Sequence, residues 1–126
     1  MKHTCIWKKQ FDKDYVAIEN PKELANLCTW LEDASTWKTI WVQFLQNNAN
    51  EDGRGGNISY IVKKGNKAYI GDSYAGEFPD PNEFEASIDE LVRLLEEFIQ
   101  LKKLEPNFIL LHQKNGVLSL EARNLI

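Results

Sequence analysis

Two histidines, His3 and His112, are the only side chains of this chain whose ordinary pKa lies near neutrality. Acid–base work by either would need convergent partners, and no nucleophile motif stands beside them: no serine occupies a G-x-S-x-G elbow or an S-x-x-K pattern. Cys5 and Cys28 are too few for a disulfide framework, and Cys28 falls on the apolar face of a helical pattern, where a free cysteine packs as a small hydrophobe. The chain has no C-x-x-C and no H-E-x-x-H. Asn48-Ala49-Asn50-Glu51-Asp52-Gly53 has a passing likeness to a calcium loop, but the bidentate glutamate that such a loop needs at its twelfth position is missing. No catalytic residue, no metal and no cofactor is therefore expected.

Two further patterns invite chemistry. Asp52-Gly53-Arg54-Gly55-Gly56 could wrap backbone amides around a phosphate, yet a Walker loop requires Lys-Ser/Thr and a following helix, whereas a strand pattern follows here. A flexible hairpin connection accounts for the glycines. Carboxylates are abundant between Glu77 and Glu97, so a glycosidase-like dyad comes to mind. Such a dyad needs burial that raises one of its two pKa values, which a capped, solvent-facing helix does not supply.

The segment from Gly71 to Phe84 is more telling. It joins a strand pattern to a helix over a longer stretch than a compact domain requires. Tyr74, Phe78 and Phe84 are interleaved there with Asp72, Glu77, Asp80 and Glu83. Aromatic rings lose little entropy when desolvated, and carboxylates steer a basic partner, which is how many protein interfaces are built. The competing reading is that the aromatics anchor the loop to its own sheet. As a partner-binding surface the expected set is Asp72, Tyr74, Glu77, Phe78, Asp80 and Glu83, extended by Asp89 and Glu90 at the next helix start.

The elements that must position these residues are legible to differing degrees. Short strands are expected at 4–7 and 15–18. Asn20-Pro21-Lys22-Glu23 reads as a capped helix start with proline at the first helical position, and Leu24, Leu27, Cys28 and Leu31 then recur on one face, with Trp30 at its edge. From Lys38 to Gln46 the alternation of Ile40, Val42 and Phe44 with Trp41, Gln43 and Leu45 reads as a central strand. A polar, glycine-rich loop over 47–57 leads to strands around Ile58–Val62 and Ala68–Ile70, joined by a tight turn with Gly65 and Asn66 at positive φ. Ser87-Ile88-Asp89-Glu90 is a capping box opening a helix with Leu91, Leu95 and Phe98 on its apolar face, and Glu105-Pro106-Asn107 stops it. Phe108–His112 and Val117–Leu120 form a hairpin around Asn115-Gly116. The fold class that follows is α+β: a single domain spanning 1–126, with an antiparallel or mixed sheet and two main helices packed on it. Leu24, Leu27, Leu31, Ile40, Val42, Phe44, Leu91, Leu95, Phe98, Ile109 and Leu111 are expected in one core.

Composition bounds the rest. A chain of 126 residues, 43% hydrophobic and 27% charged, is the size and balance of one globular domain. Its longest apolar run, Phe108–Leu111, is far short of a membrane span, and the first nine residues carry no apolar signal region, so a reducing cytoplasmic setting is expected. Net charge is −4, which disfavours direct binding to nucleic acid or anionic lipid. The charge is uneven: the stretch from Glu77 to Glu97 holds eight acids and one base, −7 in all, leaving +3 for the remainder. Acids gather at helix starts and on solvated faces for dipole reasons, and they also form surfaces that recruit basic partners.

The order of an early amphipathic helix, a strand meander, a long acidic-aromatic loop, a second capped helix and a final Pro-Asn-Phe-Ile-Leu-Leu strand, in a small acidic chain, resembles bacterial toxin-immunity proteins. Contact-dependent growth inhibition immunity proteins and those paired with deaminase-type polymorphic toxins are the nearest types. The resemblance is one of element order, from about Lys22 to His112. It implies a non-enzymatic inhibitor that binds a cognate toxin C-terminal domain, a basic nuclease being a suitable target. The alternatives from the residues alone are a small enzyme or ligand-binding domain using a pocket under the 47–57 loop, and an adaptor subunit of a larger assembly.

Overall fold

The computed structural model describes residues 3–11, 14–47 and 52–126. The chain is α+β, built from two antiparallel four-stranded sheets and two helical blocks. One sheet has the order β2-β1-β7-β8, from β1 (His3–Lys9), β2 (Tyr15–Glu19), β7 (Phe108–Lys114) and β8 (Val117–Arg123). The other runs β3-β4-β5-β6, from β3 (Gly53–Gly55), β4 (Ser59–Lys64), β5 (Lys67–Asp72) and β6 (Phe84–Ser87). The expected single sheet is thus divided in two.

The first helical block starts with a 3₁₀ turn over Lys22–Leu24, continues as α1 (Ala25–Ala34), passes another 3₁₀ turn at Ser35–Trp37 and ends as α2 (Lys38–Gln46). Two expectations fail here. Pro21 precedes the first turn in extended conformation and no side chain caps it, so Asn20 is not the helix cap. Lys38–Gln46 is a helix and not a strand. Its buried residues, Trp41, Phe44 and Leu45, follow the i, i+3, i+4 rhythm, while Ile40 is 40% exposed and Val42 is half-buried. Ile40 is therefore outside the core. Trp30, expected at the helix edge, is fully buried against Trp41 with ring centroids 5.7 Å apart.

The second block, α3 (Ile88–Lys103), is as expected: Ser87 Oγ accepts the Glu90 backbone N–H at 3.1 Å, with Asp89 and Glu90 in the first turn and Lys102 and Lys103 in the last. Only this half of the capping box is made: the Glu90 carboxylate, expected to reach back to the cap, lies instead 3.7 Å from Arg93. Of the two tight turns, Asn115 and Gly116 both take positive φ (53° and 77°), but in the β4–β5 turn only Gly65 does (63°).

One hydrophobic core joins the two sheets through the helices. It includes Trp7, Ile109 and Leu111 from the first sheet, Ile61 and Ile70 from the second, Leu24, Leu27 and Leu31 from the first block, and Leu91, Leu95 and Phe98 from α3. Trp7 and Phe98 meet at 4.8 Å between ring centroids. Cys5 and Cys28 are both buried free thiols, and burial pushes the Cys28 thiol up, aided by a hydrogen bond to Cys5. Because Ile40 faces outward on α2, Ile40→Ala is expected to cost less than about 1 kcal/mol in a denaturant titration. A loss of several kcal/mol, as for a core strand residue, would contradict this orientation of the helix.

Candidate functional site

The long connection between β5 and β6 occupies residues 73–83, since Phe84 is already paired with Ile70 as the start of β6. It folds back across the outer face of its sheet and is fixed there by polar bonds centred on a buried carboxylate. Asp80 is 6% exposed. Its carboxylate accepts the backbone N–H groups of Asp72 (2.9 Å) and Asn82 (2.8 Å) and the side-chain amide of Asn26 on α1 (3.1 Å). These bonds, the one from Asn82 first, hold the carboxyl below its ordinary pKa. The Asp80 backbone N–H donates to the Tyr60 hydroxyl at 2.9 Å, and that hydroxyl donates to Glu83. Burial, with the Glu83 bond second, pushes the tyrosine up to about 12, so it stays a neutral donor. The Tyr60 ring lies over Gly71, where any Cβ would run into it, which is why β5 carries glycine at that point.

Two of the expected carboxylates are thus structural. Asp80 is not an exposed steering charge, and Glu83 is half-buried and bonded to Tyr60. Asp72 accepts the Tyr74 backbone N–H at 2.8 Å in a local turn, and Glu77 is exposed. Tyr74 and Phe78 stand out at 77% and 73% exposure, the Phe78 ring touching Tyr60 at 5.2 Å between centroids. Asp89 and Glu90 do not join this group. The start of α3 sits beside the β4–β5 turn, with Ile88 N–H donating to Asn66 O at 2.9 Å, at the far end of the sheet. The length of β5, about 17 Å at the usual strand rise, lies between. Sequence reading missed Tyr60 and Asn26, the two residues from other elements that hold the loop.

Two hollows flank β3. One, of about 390 Å³, lies between the strand and the loop, with Gly53, Gly55, Tyr60, Glu77 and Phe78 in its walls. The other, of about 330 Å³, is formed with α2 by Trp37, Trp41, Asp33 and Asn57, and the Arg54 guanidinium lies 5.9 Å from the Trp41 ring centroid. The pocket expected under the 47–57 loop corresponds in part to these hollows; most of the calcium-like segment, residues 48–51, lies outside the described residues. Among the described residues no group of three or more His, Cys, Asp or Glu side chains is placed to hold a metal ion.

His112 has more company than its sequence neighbours suggest. Its Nδ1 is 3.1 Å from Thr4 Oγ1 and its Nε2 is 2.7 Å from Glu121 Oε1. The His112 bond holds the Glu121 carboxyl below its ordinary pKa, with Arg123 at 2.6 Å adding to it. A hydroxyl, an imidazole and a carboxylate in that order would suit nucleophilic catalysis. Here they bridge β1, β7 and β8 across the outer face of the first sheet, outside the two hollows above. The arrangement ties three strands together. His112→Ala should accordingly leave partner binding unchanged while lowering stability by about 1 kcal/mol, as thermal unfolding and a binding titration would show.

Comparison with protein-family models, with curated proteins and with solved structures gave no match.

Proposed function

We propose that this chain is a protein-binding inhibitor of the immunity type, which neutralises a basic toxin domain, a nuclease being the best-suited class. The observation that carries this reading is the pairing of two exposed rings, Tyr74 and Phe78, with a loop fixed beneath them by the buried Asp80 carboxylate. A long loop that merely connects two strands needs no such anchorage. A loop that must present aromatic side chains to a partner gains from it, because the ordering cost is met before binding. Asp72 and Glu77 beside the rings give the surface the sign that attracts a cationic partner. Among the described residues no helix is long and apolar enough to cross a membrane, and two buried free thiols fit a reducing cytoplasmic setting. The reading involves no catalysis, cofactor or direct contact with nucleic acid.

The test is capture from the native cell with the tagged chain, followed by expression of the captured protein with and without it. A basic protein that is toxic alone, silenced by the wild-type chain and not by the Tyr74→Ala/Phe78→Ala chain, is the expected result. Protection that survives the double substitution would place the interface elsewhere.

A further inference from the structure

The exposed edge of β3 is unusual in what it leaves bare. In its antiparallel ladder with β4, Asp52 O accepts the Lys63 N–H at 2.6 Å and Gly56 N–H donates to Ser59 O at 2.7 Å, and Arg54 is registered opposite Ile61. Residues that bond to the neighbouring strand alternate with residues whose peptide groups point away from it. The peptide N–H and C=O of Gly53 and Gly55 are therefore directed to the open side, where the sheet order ends. Edge strands are commonly guarded by charged side chains, as β8 is by Glu121 and Arg123. Both outward positions of β3 are glycine. A Cβ at Gly55 would meet nothing within 4 Å, so packing does not demand glycine there, and neither Gly53 nor Gly55 takes positive φ.

What the missing side chains leave is the hollow bounded by Tyr60, Phe78 and Glu77, on the face that Gly53 and Gly55 share with Tyr60. Resting on the reading of the acidic-aromatic loop as a binding surface, we infer that the open edge of β3 takes up an extended segment of the partner as an added strand, with arginine or lysine at the positions opposite Gly53 and Gly55. Backbone pairing supplies the affinity, and the alternate side chains supply the choice. A long basic side chain crosses the bare glycine backbone, lays its aliphatic stem against Phe78 and brings its charge to Glu77 and Asp72. In the register that pairs Gly53 with Gly55, a second copy would set Arg54 directly opposite Arg54, and like charges opposite each other destabilise a sheet.

The probe is a short, end-blocked peptide of alternating arginine and valine, titrated into the full chain by calorimetry and followed through the Gly53 and Gly55 amide resonances. Slowed exchange of both amides is expected on binding. Gly55→Pro removes one outward N–H without touching the β4 ladder and should weaken binding about tenfold or more. N-methylating the peptide at alternate residues tests the same bonds from the ligand side, and decides the matter should the proline variant fail to fold. Equal binding of the plain and N-methylated peptides, of Gly55→Pro and wild type, or of a peptide with its arginines and valines in separate blocks, would overturn strand addition. Charge attraction to the loop would then stand alone, and the proposed function would still rest on its own capture test. Failure of the alternating peptide to bind wild type would also overturn the inference.

Discussion

Asp80→Ala is expected to be the most damaging single substitution on the candidate binding face, costing on the order of 3 kcal/mol. The carboxylate is buried and accepts three hydrogen bonds, two from backbone N–H groups and one from Asn26. Its removal takes the acceptor from three part-buried donors at once, and each such loss is costly. Asn26 also donates to Asn82 O at 2.8 Å, so the loop would lose one of two ties to α1 and the carboxylate's bond to the Asp72 N–H at the end of β5. Urea titration monitored by circular dichroism measures the loss. A cost below about 1 kcal/mol would show that Asp80 does not anchor the loop.

The same carboxylate sets a pH dependence. Its pKa is lowered from 3.8 in the folded chain, so folding favours the ionised form. The stability it contributes is fully present above about pH 4 and is lost as pH falls through the lower, folded value. Glu121 shifts in the same direction, so acid titration of wild type reports both groups. The difference between wild type and Asp80→Asn isolates the first. That difference should shrink as the solution is made more acidic, because protonated aspartate and asparagine then present similar neutral groups to the same donors.

The residues that were legible in the sequence are those whose signals are local. The Ser87 cap, the apolar stripe of α3 and the Asn115-Gly116 turn each lie within a few residues of the groups that they bond, and each is in place. Lys38–Gln46 was not legible because five of the six residues from Ile40 to Leu45 are apolar, and such a run satisfies a period of two and a period of 3.6 alike. What decides it is the packing of Trp41 on Trp30, a contact from a different helix. Asp80 is a subtler case. Among four acids in one polar stretch, net charge gives no hint of which is inside. Yet Asp80-Pro81-Asn82 carries the signature of an Asx turn, and the Asp80 side chain does accept the N–H two residues on. Tyr60 could not be assigned to the site from its own neighbours, since the glycine that accommodates its ring is Gly71 on the next strand.

Separating anchors from display residues changes what charge and ring substitutions should do to partner binding. Reversing Asp80 or Glu83 would disturb the loop itself, so neither reports on steering. Glu77 is exposed, and Glu77→Lys should lower the association rate severalfold at low salt with stability unchanged. That effect should fade as added salt shortens the Debye length below about 8 Å. Tyr74→Ala and Phe78→Ala act on the other rate. Rings exposed by 77% and 73% become buried only when a partner covers them, so each truncation should raise the dissociation rate by about 30-fold, the equivalent of about 2 kcal/mol. Phe78 also rests on Tyr60, so its loss should lower the melting temperature slightly, whereas Tyr74→Ala should not. Surface-plasmon kinetics against the captured partner, over a series of salt concentrations, resolves the two rates. If dissociation were unchanged by both ring truncations and association were indifferent to salt, the fixed loop would have no part in binding, since a desolvated ring and an exposed charge cannot both be silent at an interface they form.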